Sequence, residues 1–376
     1  MIGARDFLVA YNVNLNTTST RRANAIAFDV REAGRNIDVD GKKVNQPGTL
    51  KSVKAIGWFI EEYGVAQISM NLTNINVTPV HIAFDEVCTR ATARGVRVTG
   101  SELVGLIPLK AMLDAGKYFL QKQNRSTGVS EKELIKIAIK SMGLDELGPF
   151  KPEERIIEYM LADKANSRLV NMKLTDFADE TASESPAPGG GSISAYVGAL
   201  GISLGTMVAN LSSHKKGWDD RWKEFSDWAE KGEYYKNELI RLVDADTLAF
   251  NKIMQAFGLP KATEEEKKAR KQAIQEATKF AIEIPFRVME TAYESMAVIK
   301  QMVIEGNPNS VTDAGVGALC ARSAVIGACM NVRINATGYD DKVFVNDIVT
   351  RAKAIEAKAI ALEAEIVGLV NAKIGV

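Results

Sequence analysis

Residues 193–211 carry no charged side chain, and they follow directly on Ser185-Pro186-Ala187-Pro188-Gly189-Gly190-Gly191-Ser192. An apolar run of this length has to be helical and has to hide its surface in a bilayer or a core, so it limits every fold open to the chain. Two prolines hold the approach extended, three glycines allow backbone conformations closed to other residues, and Ser192 is expected as the N-cap. A glycine turn into a helix start leaves main-chain N–H groups at the positive end of the helix dipole, which suits an anion, an oxyanion or a carbonyl. The plain alternative is a tight turn with no ligand. Three consecutive glycines match neither the dinucleotide fingerprint nor the phosphate loop with its Lys-Ser/Thr ending. Ser194, Ser203, Thr206 and Asn210 argue against a bilayer span. A second nearly apolar helix, 314–332 with Arg322 at its middle, offers a burial partner, so no membrane is expected.

Composition narrows the class. A chain of 376 residues suggests two domains, and 46% hydrophobic with 25% charged residues describes a soluble globular protein. A formal charge of zero gives no argument for binding nucleic acid. Cys88, Cys320 and Cys329 are few, odd in number and without metal spacing, which fits a reducing, cytoplasmic setting. With His81 and His214 as the two histidines, no metal site is expected. Met1 leads into Ile2-Gly3-Ala4-Arg5 without the basic segment and apolar core of a secretion signal.

In chain order, alternation marks strands at 6–15, 53–61, 66–72 and 96–107, and periodicity marks helices at 20–34, 79–95 and 109–121. Residues 36–47 read as a polar hairpin-like loop around Asp40-Gly41. The order β-α-β-β-α-β predicts a ferredoxin-like domain over 1–121. Residues 122–173 read as a helical connector and linker, with helical pieces at 130–142 and 152–161. From 174 to 376 the pattern is helical throughout, predicting an all-α bundle broken at Gly258-Leu259-Pro260 and Gly306-Asn307-Pro308. The fold class is therefore α+β, multidomain. On the first long bundle helix, Ser194, Gly198, Gly201 and Gly205 share a face that admits another backbone or a flat ligand.

Asp246 is the most informative single residue. The spacing of Leu239, Leu242, Asp246, Phe250, Ile253 and Phe257 puts its carboxylate inside an apolar stripe, while Asp244 falls with Asn237, Arg241 and Gln255 on the wet side. A carboxylate so placed must be paired, for example with Arg322 or Arg333, or used for proton transfer. A second group is Asn307, Asp313, Asn331 and Asn335. Asn331 and Asn335, one turn apart in apolar surroundings, can meet the donor and acceptor edge of a heterocycle; for Asn307 and Asp313 helix capping is the simpler reading.

The residues at 187–192, Leu242-Val243-Asp244-Ala245-Asp246 with Phe250, Leu259-Pro260-Lys261, Asn331-Val332 and Ile334-Asn335 resemble the cyclodeaminase domain of the formiminotransferase-cyclodeaminase family. The likeness spans 174–376. The first half resembles the C-terminal subdomain of the family's formiminotransferase part, through Tyr11-Asn12-Val13-Asn14-Leu15, Gly57-Trp58 and residues 100–110. The resemblance implies conversion of 5-formiminotetrahydrofolate to 5,10-methenyltetrahydrofolate with release of ammonia, in histidine degradation. It implies Asp246 as the catalytic residue and a folate site at Gly189, Gly190, Gly191, Ser192, Asp313, Asn331 and Asn335. No cofactor is implied beyond the tetrahydrofolate substrate, polyglutamylated forms included. A homodimer, within a larger ring, is implied, with the cyclodeaminase site at such an interface. Against the family pattern, the chain reads as lacking an N-terminal transferase subdomain with its catalytic histidine, so glutamate formimino transfer is not expected of it alone, and a separate N-terminal polypeptide would be a partner. The competing readings are a methenyltetrahydrofolate cyclohydrolase and a non-catalytic folate-holding or assembly subunit.

Overall fold

The computed structural model describes residues 7–162 and 168–375. The chain divides into two compact units: one takes residues up to 123 together with 130–162, the other 124–129 and the residues from 163 onward.

In the first unit the elements run β1 (Val9–Leu15), α1 (Thr20–Val30), β2 (Arg35–Val39), β3 (Lys42–Gln46), β4 (Val53–Ile60), β5 (Val65–Leu72), α2 (Val80–Thr92), β6 (Val98–Val104) and α3 (Leu109–Lys122). The main sheet has the order β4-β5-β1-β6, every neighbouring pair antiparallel. Alternation along β1 sends Tyr11, Val13 and Leu15 into the core. Its other face carries Asn12 and Asn14, and these are buried too. Asn14 Nδ2 donates to Glu146 at 2.5 Å, and Gln67 Nε2 donates to Asn14 Oδ1 at 2.7 Å, so both ends of the Asn14 amide are satisfied. The hairpin-like segment expected around Asp40-Gly41 is a regular hairpin of β2 and β3. Asp40 and Gly41 turn it with φ of 53° and 77°, the left-handed pair that a two-residue hairpin requires.

Residues 130–162, read from the sequence as part of a connector, pack within the first unit. α4 (Glu131–Met142) buries Leu134, Ile135, Ala138 and Met142, and lies so close to α3 that a Cβ on Gly116 would sit 2.9 Å from the Leu134 Cα. α5 (Pro152–Arg155) and α6 (Ile157–Leu161) are separated at Ile156, which bridges to Ile107.

The second unit is helical among its described residues: α7 (Leu174–Ala182), α8 (Gly190–Ser213), α9 (Trp222–Phe257), α10 (Glu264–Glu305), α11 (Val311–Ala336) and α12 (Lys342–Ile374), with short 3₁₀ turns between them. α8 and α11 are each long and apolar enough to cross a membrane, and in this fold they pack against each other instead. At their crossing a Cβ on Gly201 would lie 2.7 Å from the Gly317 carbonyl oxygen, and a Cβ on Gly317 as close to that of Gly201. The glycine face of α8 is thus filled by protein and not by a flat ligand. Serine and threonine inside α8 cost little, because Ser194, Thr206 and Ser212 donate to carbonyls one turn back, at 2.7, 2.9 and 2.6 Å.

Candidate active site

The approach to α8 places Pro186, Ala187, Gly189, Gly190 and Gly191 along one wall of a cavity of about 150 Å³. Gly189, not Ser192, is the N-cap of α8, and Ser192 is the third residue of the helix. The difference has a physical cause. Ser192 Oγ is already engaged across the bundle, 2.9 Å from the Val243 carbonyl oxygen and 3.1 Å from Asp246 Oδ2.

Asp246 comes from the middle of α9, and its Oδ2 also accepts the Ser192 N–H at 2.9 Å. The anion expected at this helix start is therefore a carboxylate of the chain itself, aligned with the helix dipole. Gly191 makes the approach possible. A Cβ there would overlap the whole Asp246 carboxylate, the farthest atom, Oδ2, at 2.6 Å. Neither Arg322 nor Arg333 pairs with Asp246; Arg322 is 3.7 Å from Glu363. Burial pushes the Asp246 carboxyl above its ordinary value, while the two Ser192 hydrogen bonds hold it down.

The apolar stripe of α9 leaves the core at this residue. Leu239 and Leu242 are fully buried, whereas Phe250 is 38% and Phe257 50% exposed. Asp246 stands at the border, lining the cavity with Thr247, Ala249, Phe250 and Ile253. Asp244 is not a free surface carboxylate as expected. It is half-buried, and accepts the N–H of Leu169 at 2.9 Å and of Val170 at 3.3 Å, tying down the turn before α7.

The opposite wall comes from α10 and α11. Asn331 faces Gly190, its Nδ2 donating to Gly327 O at 2.9 Å, and Asn335 Nδ2 donates to Ala281 O at 2.7 Å. Main-chain carbonyls thus fix both amide planes beside the cavity. Asp313 is elsewhere: it lies in the first turn of α11, 18 residues before Asn331, about 27 Å along a helix rising 1.5 Å per residue. A carboxylate there complements the helix dipole. Asn307 likewise acts locally, its side chain accepting the Asn309 N–H.

The site brings together Gly189, Gly190, Gly191, Ser192, Asp246, Asn331 and Asn335, and leaves Asp313 out. Sequence reasoning missed Thr247 and Ala281 as lining residues, and missed Ser192 as a partner of Asp246. Thr247 was within reach, being polar and next to the residue already singled out. The pairing of Ser192 with Asp246 spans 54 positions and has no local signal.

Two family profiles cover most of the chain: Formiminotransferase domain over residues 10–162, and Formiminotransferase-cyclodeaminase over residues 173–354. The Formimidoyltransferase-cyclodeaminase of Mus musculus is 36% identical over 372 residues, 99% of this chain and 67% of that protein. The chain belongs to the formiminotransferase-cyclodeaminase family. Its Gallus gallus relative of the same name is 39% identical over 353 residues, 93% of this chain and 64% of that protein. The chain thus spans about two thirds of the length of the family members it matches. Both parts of the family are represented, and the match at 10–162 gives no support to the expectation of a missing transferase subdomain. The second unit is also similar to the Methenyltetrahydrofolate cyclohydrolase of Methylorubrum extorquens, 36% identical over 204 residues, 54% of this chain and 98% of that protein.

Proposed function

We propose that the helical unit catalyses the ammonia-releasing cyclisation of 5-formiminotetrahydrofolate to 5,10-methenyltetrahydrofolate, with Asp246 transferring the proton. The observation that carries this reading is that, among the described residues, Asp246 is the one titratable residue lining the cavity, held on the start of α8 with its carboxyl raised by burial. N10 of the folate attacks the carbon of the protonated formimino group and gives its proton to Asp246. The resulting tetrahedral carbon is bonded to three nitrogens, N5, N10 and the exocyclic amino group. Asp246 returns the proton to the exocyclic amino group, the carbon–nitrogen bond breaks, and ammonia leaves behind the methenyl bridge. Protons balance throughout, so we propose neither a metal nor a redox cofactor.

Gly189, Gly190, Asn331 and Asn335 are proposed to hold the folate ring beside Asp246. At about 150 Å³ the cavity falls below the roughly 300 Å³ at which small-molecule pockets begin, so one chain encloses only the reacting part of the substrate. This supports a homodimer, the second copy completing the site. The first unit, matched by the formiminotransferase profile, is proposed to serve formimino transfer. The order β6-β1-β5-β4 with helices in both crossovers supports a ferredoxin-like reading of its sheet.

Asp246→Asn keeps the volume but cannot accept and return a proton near neutrality. Ammonia release from 5-formiminotetrahydrofolate should fall by about a hundredfold to ten-thousandfold, the usual weight of general acid-base catalysis. A folded variant within about threefold of the natural rate, too small a loss for a missing proton-transfer group, would remove Asp246 from this role. The cyclohydrolase relative favours a second reading, in which water attacks the methenyl carbon. Supplying each substrate separately distinguishes them: ammonia from the formimino compound selects the first, and methenyl consumption without ammonia release the second.

A further inference from the structure

Ser192 carries one hydroxyl proton and has two close acceptors, the Val243 carbonyl oxygen at 2.9 Å and Asp246 Oδ2 at 3.1 Å, with the Thr247 hydroxyl farther off at 3.5 Å. Its side chain is fully buried, so no water competes for that proton. Its main-chain N–H holds the same Oδ2 at 2.9 Å whichever way the hydroxyl points.

We infer that Ser192 is a positioning residue for Asp246 and not a folate ligand, its hydroxyl turning between Asp246 Oδ2 and the Val243 carbonyl as Asp246 loses and gains a proton. This rests on the proton-transfer role of Asp246 proposed above. With Asp246 ionised, Ser192 donates to Oδ2. With Asp246 protonated on Oδ2, the carboxyl donates to Ser192 Oγ, and the hydroxyl proton swings to Val243 O. Each state has a complete set of hydrogen bonds and no heavy atom moves, so the carboxyl changes charge without reorganising its surroundings.

Few charges bear on this titration. Among the described residues that line the cavity from the approach to α8 and from α8, α9, α10 and α11, Asp246 is the one that ionises. Asp244, two positions away, is turned to Leu169 and Val170, and Lys252 sits over the Phe280 ring at 4.2 Å. Ser192 is thus the group best placed to set the protonation of Asp246. Gly191 limits the alternatives, because any side chain there would displace the carboxylate.

The test uses the full chain, with kcat and KM for 5-formiminotetrahydrofolate measured across pH for Ser192→Ala and Ser192→Cys. Alanine removes the donor. Cysteine restores volume with a poor donor, so it controls for packing. Both should move the acidic limb of kcat upward by about one pH unit, the effect of losing one hydrogen bond to a charged group, with KM within about threefold. A raised KM with an unmoved limb would make Ser192 a substrate contact, and a Cys variant that behaves like the natural chain would make its role one of packing. Either result overturns the inference. These failures are separate from failure of the Asp246 reading, which Asp246→Asn tests by itself.

Discussion

A carboxylate on a helix start usually stabilises the folded chain, and Asp246 is the exception that the cavity creates. Burial raises its pKa more than the two Ser192 hydrogen bonds lower it. Unfolded, the same group titrates near about 3.9. The stability tied to its neutral form is therefore present in full below that value and lost as pH rises through the folded value. Asp246→Asn should then melt at a higher temperature than the natural chain at neutral pH, with the gap closing on acidification toward the unfolded value. Thermal melts of both proteins across that range check the sign. A variant less stable at neutral pH would mean that the carboxylate serves the fold and not the reaction.

Among elements, the contact between α8 and α11 sets how tightly the bundle can close. Gly201 and Gly317 let two backbones meet with each Cβ position 2.7 Å from the other helix's carbonyl. Gly201→Val should cost about 3 kcal/mol, near the upper end of overpacking effects, with helical content of the folded state kept. Gly368→Ala on α12 meets nothing within 4 Å and lies on the solvent side, so it should stabilise by roughly 0.5–1 kcal/mol through helix propensity. Urea unfolding of the two variants gives opposite shifts in midpoint if the crossing, and not glycine content as such, is what matters.

At the scale of the whole molecule, the same apolar helices leave surface uncovered. Leu200, Met207 and Leu211 recur on one side of α8, and Val316 and Leu319 on α11, all at least 38% exposed. Apolar faces of this kind, together with a cavity too small for an entire folate, predict a homodimer of this chain. Light scattering should give about twice the 40.9 kDa chain mass. A monomer that releases ammonia at the same concentration would show that one chain completes the site.

Much of the architecture was legible because it rests on local periodicity. The strands β1, β4, β5 and β6 and the run that became α8 all carry their signal within a few residues. Asp246 was visible for the same reason, as a charge that falls in phase with an apolar stripe. What sequence periodicity could not supply was anything fixed by residues far apart. The burial of Asn12 and Asn14 depends on Gln67, Glu102 and Glu146, so a strand that looked half-wet is dry on both faces. Asp244 looked solvated until the turn at Leu169 closed on it. Asp313 and Asn331 share a helix but stand at opposite ends of it. Ser192 looked like a cap because serine before an apolar run usually is one; only packing α8 against α9 turned its hydroxyl toward Asp246 and the Val243 carbonyl. The sequence determined which segments are helix and strand and which carboxylate is out of place, since those follow from neighbours in the chain. Tertiary structure decided what that carboxylate meets, since a hydrogen bond across 54 residues exists only once the core has closed around it.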